Sequence, residues 1–95
     1  MKYEDDPAKA RTNLRKHRVS FEEAATVFLD PFAVTYHDPD HSDDESREIT
    51  IGESARRRLL FVSHTRRGDR LRFISARRAT RKELTQHEED AQTRK

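Results

Sequence analysis

Ninety-five residues, 32% hydrophobic and 40% charged, bound the chain to one domain (residues 1–95) with a core of modest size. No cysteine and only two glycines exclude disulfides, thiolate metal sites and a glycine-rich phosphate loop; no apolar run nears the ~18 residues of a membrane span or forms a signal segment, so the expected location is the cytoplasm. The net charge of +2 hides a segregation, since residues 55–82 hold eleven Lys/Arg against Asp69 alone, while residues 30–48 hold seven acids against Arg47 alone, a pattern that points to a polyanionic partner.

In chain order, Met1–Glu4 is long enough for a short edge strand. Asp6-Pro7 reads as N-cap and first helical position of a helix that runs to about His17. Ser20 and Glu23 form a capping box, with Val19 stapled onto Ala24, and the second helix continues through Val27 and Phe28 to Asp30-Pro31. The connection is so short that the two helices form a hairpin. Strand texture follows at 32–36 and 47–52, separated by the polar, acidic loop 37–46. Residues 58–65 are a near-continuous apolar run, fit for a central strand covered on both faces. Arg67-Gly68-Asp69 signals a hairpin turn, 70–76 the return strand, and Thr80 with Glu83 a second capping box that opens a helix to about Ala91. The fold class is α+β: a small antiparallel sheet of about four strands, an N-terminal helical hairpin and a C-terminal helix, with the helices on one side.

Two blocks of this chain resemble a known family. Asp6-Pro7-Ala8-Lys9-Ala10, Asn13-Leu14-Arg15-Lys16-His17, Val19-Ser20-Phe21-Glu22-Glu23-Ala24, Val27-Phe28 and Asp30-Pro31 are similar to the N-terminal half of BrnT-type toxins. Ile51-Gly52, the Leu59 to Thr65 strand, Arg72-Phe73-Ile74-Ser75-Ala76-Arg77, Ala79-Thr80 and Glu83 are similar to its C-terminal half. The resemblance runs from about Tyr3 to Glu88. It implies a RelE-like fold, a bacterial type II toxin–antitoxin system, and ribonuclease activity that arrests translation without a metal or other cofactor. It also implies neutralisation by a BrnA-type antitoxin protein, with operator DNA reached only through that complex. The family usually has Glu-Arg and then Tyr in the last helix, where this chain has Glu83-Leu84 and His87; an aromatic is usual at Asp5 and a glycine at Arg18.

Metal-free RNA cleavage needs a base for the ribose 2′-OH, cations for the phosphate and an acid for the leaving oxygen. Regular alternation on the last strand puts Leu71, Phe73, Ser75 and Arg77 on one face, and Arg70, Arg72, Ile74 and Ala76 on the other. Arg77 ends that strand beside a helix N-terminus, a favourable place for an anion. By the resemblance Arg77 is the first candidate for the phosphate and Arg72 the second. His64, on the face of Leu60 and Val62, is open to two readings, general acid or base and half-buried histidine bonded to backbone. His87 stands in the place of the family tyrosine and is either a proton-transfer group or an exposed helix residue. Glu83 is the capping partner of Thr80, and the resemblance adds a catalytic or arginine-orienting role.

Lys9 and Lys16 on the first helix are candidates for RNA phosphate contacts, while His17 suits the helix C-terminus. Arg47 either neutralises the acidic loop or enters the site. Arg56, Arg57 and Arg58 read as electrostatic attraction, and Arg66, Arg67 and Arg70 flank the turn. His37 and His41 with Asp38, Asp40, Asp43, Asp44 and Glu45 match no metal-loop spacing and read as a solvated loop, one that can mask the basic face or meet a basic antitoxin segment. The alternative to a nuclease is a non-catalytic nucleic-acid-binding or antitoxin-binding protein whose active site has decayed.

Overall fold

Asn13 ties the helices to the sheet. Its side-chain amide donates to the carbonyls of Val19 and Ala76, each at 2.9 Å, and its oxygen accepts from the Ala76 N–H at 3.0 Å. One buried side chain thus closes both backbone groups of a strand residue, as a neighbouring strand would. The computed structural model describes residues 2–4, 6–38 and 46–93. Its elements are β1 (Tyr3–Glu4), α1 (Pro7–His17), α2 (Phe21–Thr26) with a 3₁₀ turn at Val27–Leu29, β2 (Val34–His37), β3 (Glu48–Glu53), β4 (Leu59–Arg67), β5 (Arg70–Arg78) and α3 (Arg81–Thr93). The acidic stretch 39–45 and Asp5 lie outside the described residues.

The sheet has five strands in the order β1-β5-β4-β3-β2, with β1 parallel to β5 and the other pairs antiparallel. The four-stranded antiparallel expectation is corrected on both counts. Two residues of β1 are too few to show an alternation, and their pairing with Leu71 and Arg72 is a long-range fact. β4 is central, but the helices cover one face only. That face carries Leu60, Val62, Leu71, Phe73 and Ala76, which close a core with Val19, Phe21, Ala24 and Val27. Phe61 and Ser63 on the other face are only partly buried.

The helix arrangement also differs from expectation. Asp6 caps α1 as expected, accepting from the Lys9 N–H at 3.3 Å. α2 is shorter and tightens into the 3₁₀ turn, and Asp30 then accepts from the N–H groups of Phe32 and Glu53, fastening the turn to β3. Gly52 makes this approach possible, because a Cβ there would sit 2.9 Å from both Ala33 Cβ and Val27 Cγ1. α3 does not join α1 and α2 on the sheet. None of its side chains between Arg81 and Asp90 is buried, and Leu84 is 40% exposed. A helix with so few apolar residues has no stripe to bury.

The bulge between β4 and β5 decides the site. Ser63 faces Ser75 but His64 faces Phe73, so Ile74 is an extra residue in β5. Beyond it every side chain changes face. The expected grouping of Arg77 with Leu71 and Phe73 is therefore overturned. Arg77, Ser75, Arg72 and Arg70 share the face away from the helices, while Ala76 joins Phe73 and Leu71 in the core.

Candidate active site

The face away from the helices is built row by row from the ladder. Arg77 lies beside Phe61, Phe61 beside Ile51 and Ile51 beside Val34; in the next row Ser75, Ser63, Ile49 and Tyr36 follow. Arg72 stands four rungs from Arg77, about 13 Å at the usual ~3.3 Å rise. Arg67 and Arg70 close the same face at the hairpin tip. The result is an apolar strip with arginines along one side.

Arg77 is fixed by three contacts. Its guanidinium lies 4.6 Å from the centroid of the Phe61 ring. Its Nη1 donates to Glu83 Oε1 at 2.8 Å and Nη2 to Glu83 Oε2 at 2.9 Å, a two-point fork. Nη1 also reaches the Arg78 carbonyl at 3.3 Å. Glu83 belongs to the first turn of α3 and completes the capping box foreseen with Thr80. Its Oε1 accepts from the Thr80 N–H at 2.8 Å, and its own N–H donates to Thr80 Oγ1 at 3.2 Å. Hydrogen bonding to Arg77 pulls the Glu83 carboxyl down to about 2, against the opposing effect of burial, with the Thr80 backbone adding to the pull. The same fork pushes the Arg77 guanidinium up from its ordinary value, so the pair is ionised throughout the working range. With side chains 40% and 27% exposed, the pair remains in contact with solvent.

His87 is four residues beyond Glu83 and so on the same side of α3. His64 is elsewhere. It sits on the core face, 2% exposed, with Nε2 bonded to Thr50 Oγ1 at 2.7 Å and the Phe28 ring edge-on at 5.1 Å. Burial depresses its basicity, and Nδ1 has no protein partner. The structure does not bring His64 to Arg77: the sheet lies between them. Lys9, Lys16 and His17 line a cleft of about 310 Å³ between α1 and β5, with Ile74 and Ser75 on its other wall. Arg47 precedes β3, and its carbonyl accepts from the Asp38 N–H at 2.9 Å. It belongs to the end of the sheet near Thr65 and Arg72, not to the Arg77 end.

Arg58 is corrected. Its Nε donates to Glu23 Oε2 at 2.9 Å, Nη2 meets Glu23 Oε1, and Nη2 also reaches the Arg18 carbonyl. Ser54 Oγ donates to the same carboxylate at 2.6 Å. Arg58 therefore locks the α1–α2 connection to the β3–β4 turn instead of attracting a distant polyanion. Glu23 accordingly leaves the capping box half made: Ser20 Oγ accepts its N–H at 3.0 Å, but its carboxylate is committed to Arg58, which holds it below the usual carboxylate range.

Phe61, Tyr36 and Asn13 were missed as organising residues. Alternation assigned Phe61 and Tyr36 to strands, and only the bulge reveals that Phe61 lies beneath Arg77.

Fold and site together define a small α+β domain with a basic sheet face and an arginine–carboxylate pair at its end. A family model described as the ribonuclease toxin, BrnT, of type II toxin–antitoxin systems matches residues 6–83, and the chain belongs to that family. The match ends on Glu83, so the Arg77–Glu83 pair lies inside it and His87 beyond it. Among curated proteins no relative matches the chain. No helix among the described residues is long and apolar enough to cross a membrane.

Proposed function

We propose that residues 1–95 act as one RelE-like toxin domain in the cytoplasm, an endoribonuclease that cuts single-stranded RNA without a metal, arrests translation and is silenced by a BrnA-type antitoxin. Operator DNA is met only through the toxin–antitoxin complex. The observation that carries this reading is the forked Arg77–Glu83 pair, seated on Phe61 at the end of a basic sheet face, within a ribonuclease toxin family.

In this reading Arg77 receives the scissile phosphate and answers the charge that gathers on it as the ribose 2′-oxygen attacks phosphorus. The 5′-oxygen leaves and a 2′,3′-cyclic phosphate remains. Glu83 orients Arg77, because a carboxyl held at about 2 is too weak a base to take the 2′-OH proton readily. His87, one helical turn away, exchanges protons with the reacting oxygens. Arg72 holds a flanking phosphate further along the face, Lys9 and Lys16 hold the strand over their cleft, and Arg47 attracts it from the far end. His64 serves the core.

A second reading, a binding protein with a decayed site, has one observation in its favour: the Arg77 fork is already filled by Glu83. One assay decides. Labelled single-stranded RNA is incubated with the purified protein, with and without EDTA, and the ends are analysed. Cyclic phosphate ends that form in EDTA and vanish in Arg77→Ala are expected. Intact RNA at high protein concentration overturns the nuclease, and loss of cleavage in EDTA overturns the metal-free route.

A further inference from the structure

Tyr36 is 43% exposed on the face away from the helices, in a row of the ladder that the Arg77 row adjoins. Val34, Ile49, Ile51 and Phe61, each half-buried, join the two residues as an apolar strip. Arg67, Arg70, Arg72 and Arg77 flank the strip on the same face.

We propose that Tyr36 is a stacking platform for an unpaired nucleobase of the RNA strand whose phosphate lies at Arg77. The inference rests on the cleavage reading above. A flat aromatic ring left half in water, three strands (about 14 Å) across the apolar strip from a row of cations, matches the two needs of single-stranded RNA, a π-face for the base and positive charge for the backbone. Phe61 cannot take that role, because the Arg77 guanidinium already lies over its ring. Every base has a π-face, so the platform selects single strands without selecting a sequence. Paired RNA keeps its bases inside the helix and gains nothing from it.

The test uses a single-stranded oligonucleotide with 2′-O-methyl sugars, which has no 2′-OH nucleophile, and a copy made abasic at successive positions. Affinities are measured for the wild type, Tyr36→Phe and Tyr36→Leu. Tyr36→Phe should bind within about twofold of wild type, and Tyr36→Leu about 5- to 150-fold more weakly, the range for one lost base stack. At one abasic position the difference between Leu and Tyr should disappear. Equal binding by Tyr36→Leu and wild type overturns the proposal, as does a Tyr36→Phe loss as large as the Leu loss, which would assign the binding to a hydrogen bond from the hydroxyl and not to the ring. A Leu effect unchanged at every abasic position also overturns it. Cleavage of ordinary RNA is run alongside. Tyr36-dependent binding without cleavage sinks only the nuclease reading; cleavage that needs Arg77 but ignores Tyr36 in binding sinks only the stacking.

Discussion

Arg77 and Glu83 face each other across the junction of β5 and α3 with both guanidinium Nη groups engaged, at 2.8 and 2.9 Å. The pair joins a helix that otherwise lies off the sheet to the strand that carries the arginines. Two jobs are therefore combined in one contact, seating α3 and aiming Arg77. Arg77→Lys preserves the charge but cannot make the fork. Cleavage of a single-stranded oligonucleotide should fall at least about 100-fold in kcat/KM, the scale for losing one preorganised donor to a reacting oxyanion. Glu83→Gln should act in the same direction but less, because Arg77 remains and only its aim is loosened. Wild-type initial rates in Arg77→Lys would show that the fork has no part in the chemistry.

The same pair sets part of the acid limb of stability. The folded Glu83 carboxyl titrates at about 2, below its ordinary 4.5. Its contribution is complete above the unfolded value and is lost as pH falls from about 4.5 towards 2. With both side chains partly in solvent, the contribution is about 1 kcal/mol after screening. His64 adds to the same slope at higher pH. Burial lowers its folded pKa, so the unfolded chain binds the extra proton below 6.5, and stability is lost as pH drops through that region. Urea titrations at pH 7, 5 and 3 should show the wild type losing more stability than Glu83→Gln between pH 5 and 3. Parallel losses in the two proteins would contradict the assignment.

Local signals carried much of the fold into the sequence. Asp6-Pro7, Ser20 and Thr80 mark three helix starts through side chains only three residues from their partners. Long-range commitments were not legible. Glu23 has the spacing of a capping-box residue, yet Arg58, 35 positions away, claims its carboxylate. The two-residue turn Gly68-Asp69, with Gly68 at φ 59°, fixes the first four pairs of the hairpin. Counting onward without a bulge puts Ala76 opposite Phe61 and Arg77 in the core. One extra residue at Ile74 reverses that and creates the basic face. Nothing in Phe73-Ile74-Ser75 announces it, because the shift exists only in the pairing of β5 with β4. Asn13 holds Ala76, two residues beyond the extra one.

Asn13→Ala should test the clamp. The substitution leaves the Ala76 N–H and C=O and the Val19 carbonyl without their buried partner. Each unsatisfied group costs about 1–3 kcal/mol, and relaxation with entering water recovers some, so a loss of about 3 kcal/mol is expected in denaturant unfolding. Asn13→Asp should fare no better, because two carbonyl oxygens would then meet a carboxylate. A loss below about 1 kcal/mol in Asn13→Ala would show that the helices are held by apolar packing alone.

His64 and His87 separate core from chemistry. His64 is buried on the helix side of the sheet, bonded to Thr50, while His87 shares the Glu83 side of α3. His64→Gln should cost about 1–3 kcal/mol of stability and leave cleavage per folded molecule within about twofold. His87→Ala should leave the thermal midpoint nearly unchanged and lower kcat about 100-fold, the scale for one general acid–base group. The reverse pattern, an active His87→Ala and a folded but inactive His64→Gln, would move the reacting centre to the other side of the sheet.

Arg18 ends α1 in the left-handed conformation, at φ 60°, with its N–H donating to the Leu14 carbonyl at 2.9 Å. A side chain there is crowded against its own carbonyl by about 1–2 kcal/mol, which glycine avoids. Glycine also has more freedom to lose on folding, so the net gain is smaller. Among the described residues Arg18 hydrogen-bonds through its backbone, including the carbonyl that accepts from Arg58 at 3.0 Å, and glycine keeps these bonds. Arg18→Gly should therefore stabilise the fold by about 0.5–1 kcal/mol, seen as a higher denaturation midpoint at unchanged slope. Arg18→Gly removes an exposed basic side chain beside the Lys16 cleft, so RNA affinity should weaken while stability rises. A destabilised Arg18→Gly would mean that the side chain makes a contact worth more than the strain of its backbone.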